Sequence, residues 1–303
     1  MNARNAQWVQ NRERGSRSLL KIMTFISLRA GRSVSRSVLY GIAAYFFLFA
    51  PKARRAALTY LQRSLGRRPT ARDRYRQILF FATAIHDRVF LINDRFEEFD
   101  ISIDGEALMQ QCVSAGRGGF LIGAHLGSFE IMRSLGRKQR GIEVVMAMYE
   151  ENARRINATL SAINPLAKPE IVPLGRIESM IRIGERLDQG AFVGVLGDRT
   201  LGNEAVRDVE FLGQPAPFPV GPMRAAAIMR RPVIFMAGLY RGGNRYHLVF
   251  EPVADFSDVP RSARDARVND AVDRYAQLLE KYCRSDPYDW FNFFDFWKEP
   301  RRV

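Results

Sequence analysis

Apolar and polar positions alternate along this chain in two distinct periods, which separate strands from helices. From residue 98 onward, short apolar runs at Phe99–Ile103, Gly119–Ala124, Glu143–Met148, Glu170–Pro173, Ala191–Leu196, Val233–Leu239 and Tyr246–Phe250 read as strands. Between them, apolar residues recur at helical spacing over Glu106–Ser114, Leu126–Leu135, Asn152–Ile163, Ile177–Leu187, Val220–Met229 and Asn269–Tyr282. Strands alternating with helices predict an α/β fold: a mixed, largely parallel sheet covered by helices on both faces. Ahead of this region, Ile78, Leu79, Ala82, Ile85, Val89 and Phe90 predict a long amphipathic helix from Ala71 to about Asn93, with Thr70 as its N-cap. His86 lies inside that pattern and reads as a packed or surface helix residue. The polar break Gly66-Arg67-Arg68-Pro69-Thr70 divides the chain into a helical N-terminal segment, residues 1–68, and an α/β domain, residues 69–303.

Charge changes the picture of the first segment. Of 46 Lys and Arg residues, 16 lie in residues 1–75 against two acids, Glu13 and Asp73, so the whole formal excess of +14 sits there. An anionic neighbour is implied, either nucleic acid or a membrane. The bases are interleaved with apolar runs, notably Val38–Ala50 (VLYGIAAYFFLFA), whereas a nucleic-acid arm is polar between its charges. Apolar residues, aromatics and a basic fringe fit an interfacial helix, so membrane lipid is the expected partner and nucleic acid is not. Val38–Ala50 falls short of the ~20 apolar residues that cross a bilayer, which leaves interfacial contact or core packing open. A secretory signal fits poorly, because the apolar run starts late and an Arg-rich stretch follows it.

The remaining composition narrows the chemistry. Two cysteines, Cys112 and Cys283, give no disulfide framework, and three histidines with no HExxH or CxxC pattern leave no expected metal site. No GxxxxGK[ST] loop or GxSxG elbow is present. The segment Gly119–Glu130 (GFLIGAHLGSFE) carries more: a buried strand ends near His125, and Gly127-Ser128 opens the next helix. Side chains at the carboxyl end of such a strand face the crevice where α/β proteins bind ligands. With His125 in the turn and Glu130 in the first helical turns, the carboxylate would hold the imidazole in one tautomer and support its protonated form. On residues alone a histidine and a glutamate five apart is a weak signal, and coincidence is the commoner explanation.

HLGSFE resembles the H-x4-[DE] signature of the lysophospholipid acyltransferase superfamily, especially the branch of the late lipid A (lauroyl and myristoyl) acyltransferases. Further stretches are similar in the same order: Gly197-Asp198-Arg199, Phe211-Leu212-Gly213, Ala216–Pro222 (APFPVGP), and Pro287–Asn292 (PYDWFN) followed by Phe296-Trp297. The resemblance spans about residues 100–297. It implies an O-acyltransferase that moves an acyl chain from acyl carrier protein or coenzyme A to a hydroxyl of a membrane lipid. Those donors are co-substrates; no cofactor is implied. His125 would be the general base, oriented by Glu130. Asp198 and Arg199 would lie near the reaction centre, Arg199 binding an anionic group or the developing oxyanion, though they read equally well as a turn ion pair. Phe218 and Gly221 would shape the substrate channel, and Arg155 or Arg154 would match a family arginine of the following helix. The implied location is the cytoplasmic face of a bacterial inner membrane, peripheral or monotopic. Trp8, Arg12–Ser16 and the aromatic tail look like a subgroup found with aryl polyene lipid biosynthesis. Two rivals remain: a lysophosphatidic acid acyltransferase using the same residues, and a non-catalytic membrane-docked binding protein.

Overall fold

The structure, a computed structural model, describes residues 17–138, 142–164, 170–200 and 204–298. The Trp8–Ser16 stretch that suggested a subgroup lies outside them. Three helices come first: α1 (Arg17–Phe49), α2 (Pro51–Leu65) and α3 (Ala71–Ile92). The order then runs β1 (Asp100–Asp104), α4 (Glu106–Ser114), β2 (Gly119–Gly123), α5 (Phe129–Lys138), β3 (Val144–Tyr149), α6 (Glu150–Ile163) and β4 (Ile171–Leu174). It ends with α7 (Ile177–Asp188), β5 (Phe192–Leu196), β6 (Val206–Phe211), β7 (Gln214–Pro219), α8 (Gly221–Met229), β8 (Pro232–Tyr240), β9 (Arg245–Asp255) and α9 (Arg264–Ser285).

Seven strands form one sheet in the order β1-β9-β8-β2-β5-β3-β4, with every neighbouring pair parallel except β8–β9. The expected sheet, largely parallel and helix-covered, is therefore present. β2 lies at its centre with all five residues buried, which is why GFLIG reads as an unbroken apolar run. Its side chains alternate between two cores: Phe120 and Ile122 pack with α2, α7, α8 and α9, while Leu121 packs with α3, α4, α5 and α6.

The start of α3 follows from a local rule. Thr70 accepts from the Asp73 amide, and the Asp73 carboxylate accepts from the Thr70 amide, closing a capping box. The same carboxylate pairs with Arg67 and accepts from the Tyr288 hydroxyl, so it ties the C-terminal segment to this helix end. Replacing Thr70 by Ala should lower unfolding stability by about 1 kcal/mol, read as a reduced midpoint in denaturant at unchanged slope.

The β6–β7 hairpin was not among the expected strands, and β7 carries Pro215, Pro217 and Pro219, a residue type that strands seldom hold. They occupy alternate positions opposite Glu210, Asp208 and Val206 in an isolated two-stranded ladder, where the missing N–H groups point away from the partner. Leu212 and Gly213 both take positive φ, as a tight hairpin turn requires, and the Leu212 amide donates to Glu280 on α9.

The basic segment is packed on the domain by a buried ion pair. Helix α1 breaks at Gly31 (φ 79°), and the next residue, Arg32, donates to both oxygens of Asp87 on α3 at 2.8 Å. Asp87 also accepts from Tyr246 of β9, and His86 meets Ser35 of α1. His86 is thus a packing residue, as its helical spacing suggested. In the Val38–Ala50 run, Leu39 and Ala43 are buried, while Val38, Tyr45, Leu48 and Phe49 stay exposed. Among the described residues no single helix is long and apolar enough to cross a membrane. The pair formed by α1 and α2 would pass together by length and composition, but it is bent by 94°.

Candidate active site

The site grows from the end of β2. Gly123 pairs with Leu196 of β5, so the residues two places further on, His125 and Asp198, emerge side by side at the carboxyl end of the sheet. The register is closed by the Gly197 amide, which donates to the Gly123 carbonyl at 2.9 Å.

Two contacts fix the turn that carries His125. Gly127 has φ 69° and crosses Gly238 of β8 so closely that a Cβ on it would sit 2.1 Å from the Gly238 carbonyl oxygen. The amide of Ser128 donates to that oxygen, and the amide of Gly127 donates to the Asp289 carbonyl. On the other side, the Phe291 amide donates to the His125 carbonyl at 2.7 Å, and Leu126 bridges Trp290. The glycine in HLGSFE is therefore required by backbone approach and handedness together. Gly127→Ala should cost about 2–4 kcal/mol in stability and displace the imidazole, so denaturation and turnover would both report it.

Asp198 is fully buried and receives four donors. One oxygen accepts from His125 Nδ1 at 2.9 Å; the other accepts from the His125 amide, Trp290 Nε1 and Asn292 Nδ2 at 2.9, 3.0 and 3.1 Å. Burial alone would raise this carboxyl, but His125, its hydrogen bonds and the Arg199 charge outweigh it and hold the group well below the usual carboxylate range. An ionised carboxylate only accepts, so the proton on the His125 ring lies on Nδ1 and Nε2 keeps its lone pair. Burial, then the positive charge of Arg199, holds the imidazole below its ordinary range, with Asp198 pulling the other way. The side chain keeps 28% exposure. A neutral, oriented and reachable imidazole at the mouth of an α/β crevice is equipped to take a proton.

Here the sequence-based expectation is corrected. The carboxylate on the imidazole is Asp198, not Glu130. Glu130 lies in the first turn of α5 and accepts from Nε of Arg133 at 2.9 Å and from a second guanidinium N–H, both side chains being buried. Five residues of turn and helix carry Glu130 past Nδ1, whereas the sheet register delivers Asp198 to it.

The other expected residues divide. Arg199 is beside the centre: its Nε donates to Asn292 Oδ1 at 2.8 Å, and its guanidinium stands 5.4 Å over the Phe294 ring. Phe218 is fully buried among Phe211, Tyr275 and Phe296. Tyr275 in turn donates to the Gly123 carbonyl, so Phe218 supports the strand end from below and lines no open channel. Gly221 opens α8 at the surface, where an added Cβ would meet nothing within 4 Å. Arg154 is exposed on α6; the Arg155 side chain lies outside the described residues. Trp290 and Asn292 were recognised only as part of a tail pattern, yet both grip Asp198. Their signal was an asparagine set between Phe291 and Phe293 in an otherwise aromatic run.

The family model for the bacterial lipid A biosynthesis acyltransferases matches residues 10–299. The chain belongs to this family. No curated protein matches it. Membership in the lipid A biosynthesis acyltransferases makes acyl transfer to lipid A-like acceptors its activity class.

Proposed function

We propose that this acyltransferase moves a fatty acyl chain from an acyl thioester to a hydroxyl of a membrane lipid, with His125 as general base and Asp198 as its orienting carboxylate. The observation that carries this reading is the Nδ1–Asp198 hydrogen bond at 2.9 Å, which leaves Nε2 to act. The acceptor hydroxyl oxygen attacks the thioester carbonyl carbon while Nε2 takes its proton. The C–S bond then breaks, and the leaving thiolate receives that proton from the imidazolium. Asp198 stabilises the imidazolium between the two steps. Arg199 supplies a fixed positive charge near the developing oxyanion. No metal or nucleotide enters this scheme.

The membrane side of the proposal rests on α1. Its exposed Val34, Val38, Tyr45, Leu48 and Phe49 lie beside the bases of α1 and α2, the pattern of a helix lying in a bilayer interface. The family setting favours the cytoplasmic face of a bacterial inner membrane. The basic segment suits either donor, because acyl carrier protein and coenzyme A are both anionic. Val38→Glu with Leu48→Glu should abolish flotation with anionic vesicles while the variant still folds, as judged by circular dichroism. Chemistry is tested by supplying acyl carrier protein and coenzyme A thioesters with an envelope lipid extract and identifying products by mass spectrometry. An acylated lipid formed by the wild type and absent with His125→Ala supports the reading; no acylated lipid from any donor would sink it.

A further inference from the structure

A cavity lies at the opposite end of the sheet from His125. Its volume is about 610 Å³, within the range of about 300–1,000 Å³ that small-molecule sites occupy. It opens beneath the starts of β2 and β8 and the end of β9, with α4 as one wall. His125 follows β2 at its other end, about 20 Å away at the rise of an extended strand.

The lining divides by chemistry. Leu108 and Cys112 of α4 and Val233 and Val253 of the sheet give an apolar wall. The positive side comes from Arg117, just ahead of β2, and from Arg267 and Arg274, two turns apart on one face of α9. Asp255 is the single acid among the lining residues. Glu251 pairs with Arg274 at 3.7 Å, so the positive charge open to a ligand comes from Arg117 and Arg267. Apolar residues and the unneutralised guanidinium groups of Arg117 and Arg267 in one lining match one chemical class, a single-chain amphiphile with an anionic head. The apolar wall takes the chain, and the arginines take a carboxylate or phosphate.

We propose that this cavity is a ligand site, separate from the acyl-transfer centre, for a single-chain anionic amphiphile such as a fatty acid anion. Such a molecule would occupy it without displacing substrates from His125.

Cys112 gives a local readout. It is half-buried in the cavity wall, while Cys283 is fully buried in the core, so a water-soluble alkylating reagent reports on Cys112. Sodium laurate and dodecyl phosphate, each below its micelle concentration, should slow Cys112 alkylation in the full-length protein at least about tenfold, with dodecyltrimethylammonium as the cationic control. Whichever anion protects more strongly identifies the head group. Protection should persist in His125→Ala, which separates this site from the catalytic one. It should vanish in R117E/R267E, whose exposed positions leave folding and acyl transfer intact. Unchanged alkylation with both anions, equal protection by the cation, or protection lost in His125→Ala would each overturn the proposal.

Discussion

Replacing His125 by Ala should lower acyl transfer by about 10⁴-fold, or about 5 kcal/mol in transition-state stabilisation, without unfolding the protein. The side chain is partly exposed and its hydrogen bond to the protein runs through Nδ1 to Asp198, so the fold loses little when it is removed. The backbone contacts of residue 125, from its amide to Asp198 and from Phe291 to its carbonyl, survive the substitution. Single-turnover transfer, circular dichroism and vesicle flotation, measured on one preparation, separate loss of chemistry from loss of structure. Unimpaired turnover in this variant would end the assignment of the base.

The second large effect belongs to Asp198. Asp198→Asn keeps the volume but removes the charge that stabilises the imidazolium, and it offers an N–H where His125 Nδ1 needs an acceptor. We expect a loss of about 10²–10⁴-fold in kcat/KM. The pH dependence gives the sign. In the wild type, burial and Arg199 place the His125 transition below the ordinary imidazole range, so kcat/KM should rise with pH to a plateau through a limb lying below about 6.5. Asp198 raises the imidazole against those two effects, so its neutral replacement must shift the limb to still lower pH, with a reduced plateau. Glu130→Gln should leave the limb in place, because Glu130 acts on Arg133 and the placement of α5.

Much of the fold was legible in the sequence because its strands are buried on both faces. Gly119–Ala124 and Ala191–Leu196 read as continuous apolar runs, and they are neighbours at the centre of the sheet. Thr70 was legible because capping is a local interaction, complete within four residues. The β6–β7 hairpin was not, since three prolines argue against a strand unless the partner geometry is known. The carboxylate that holds the imidazole was hidden for a related reason. Sequence spacing joins His125 to Glu130, five residues on, whereas sheet register joins it to Asp198, 73 residues away. Register depends on which strands are neighbours, and β2 beside β5 is a crossover that no local pattern encodes. The Gly197-Asp198-Arg199 stretch marked the right residues, but not which of them would touch the imidazole. Asn292 and Trp290 were further still from assignment, because their role exists only once the C-terminal segment folds back over the β2 turn.

The central claim is that a neutral His125, oriented by Asp198, is the base for acyl transfer. The most direct measurement is the pH profile of single-turnover kcat/KM for wild type, Asp198→Asn and Glu130→Gln, using a thioester donor and the acceptor found by mass spectrometry. The predicted result is an acid limb that moves to lower pH in Asp198→Asn and stays with the wild type in Glu130→Gln. A limb that moves in Glu130→Gln and holds still in Asp198→Asn would contradict it.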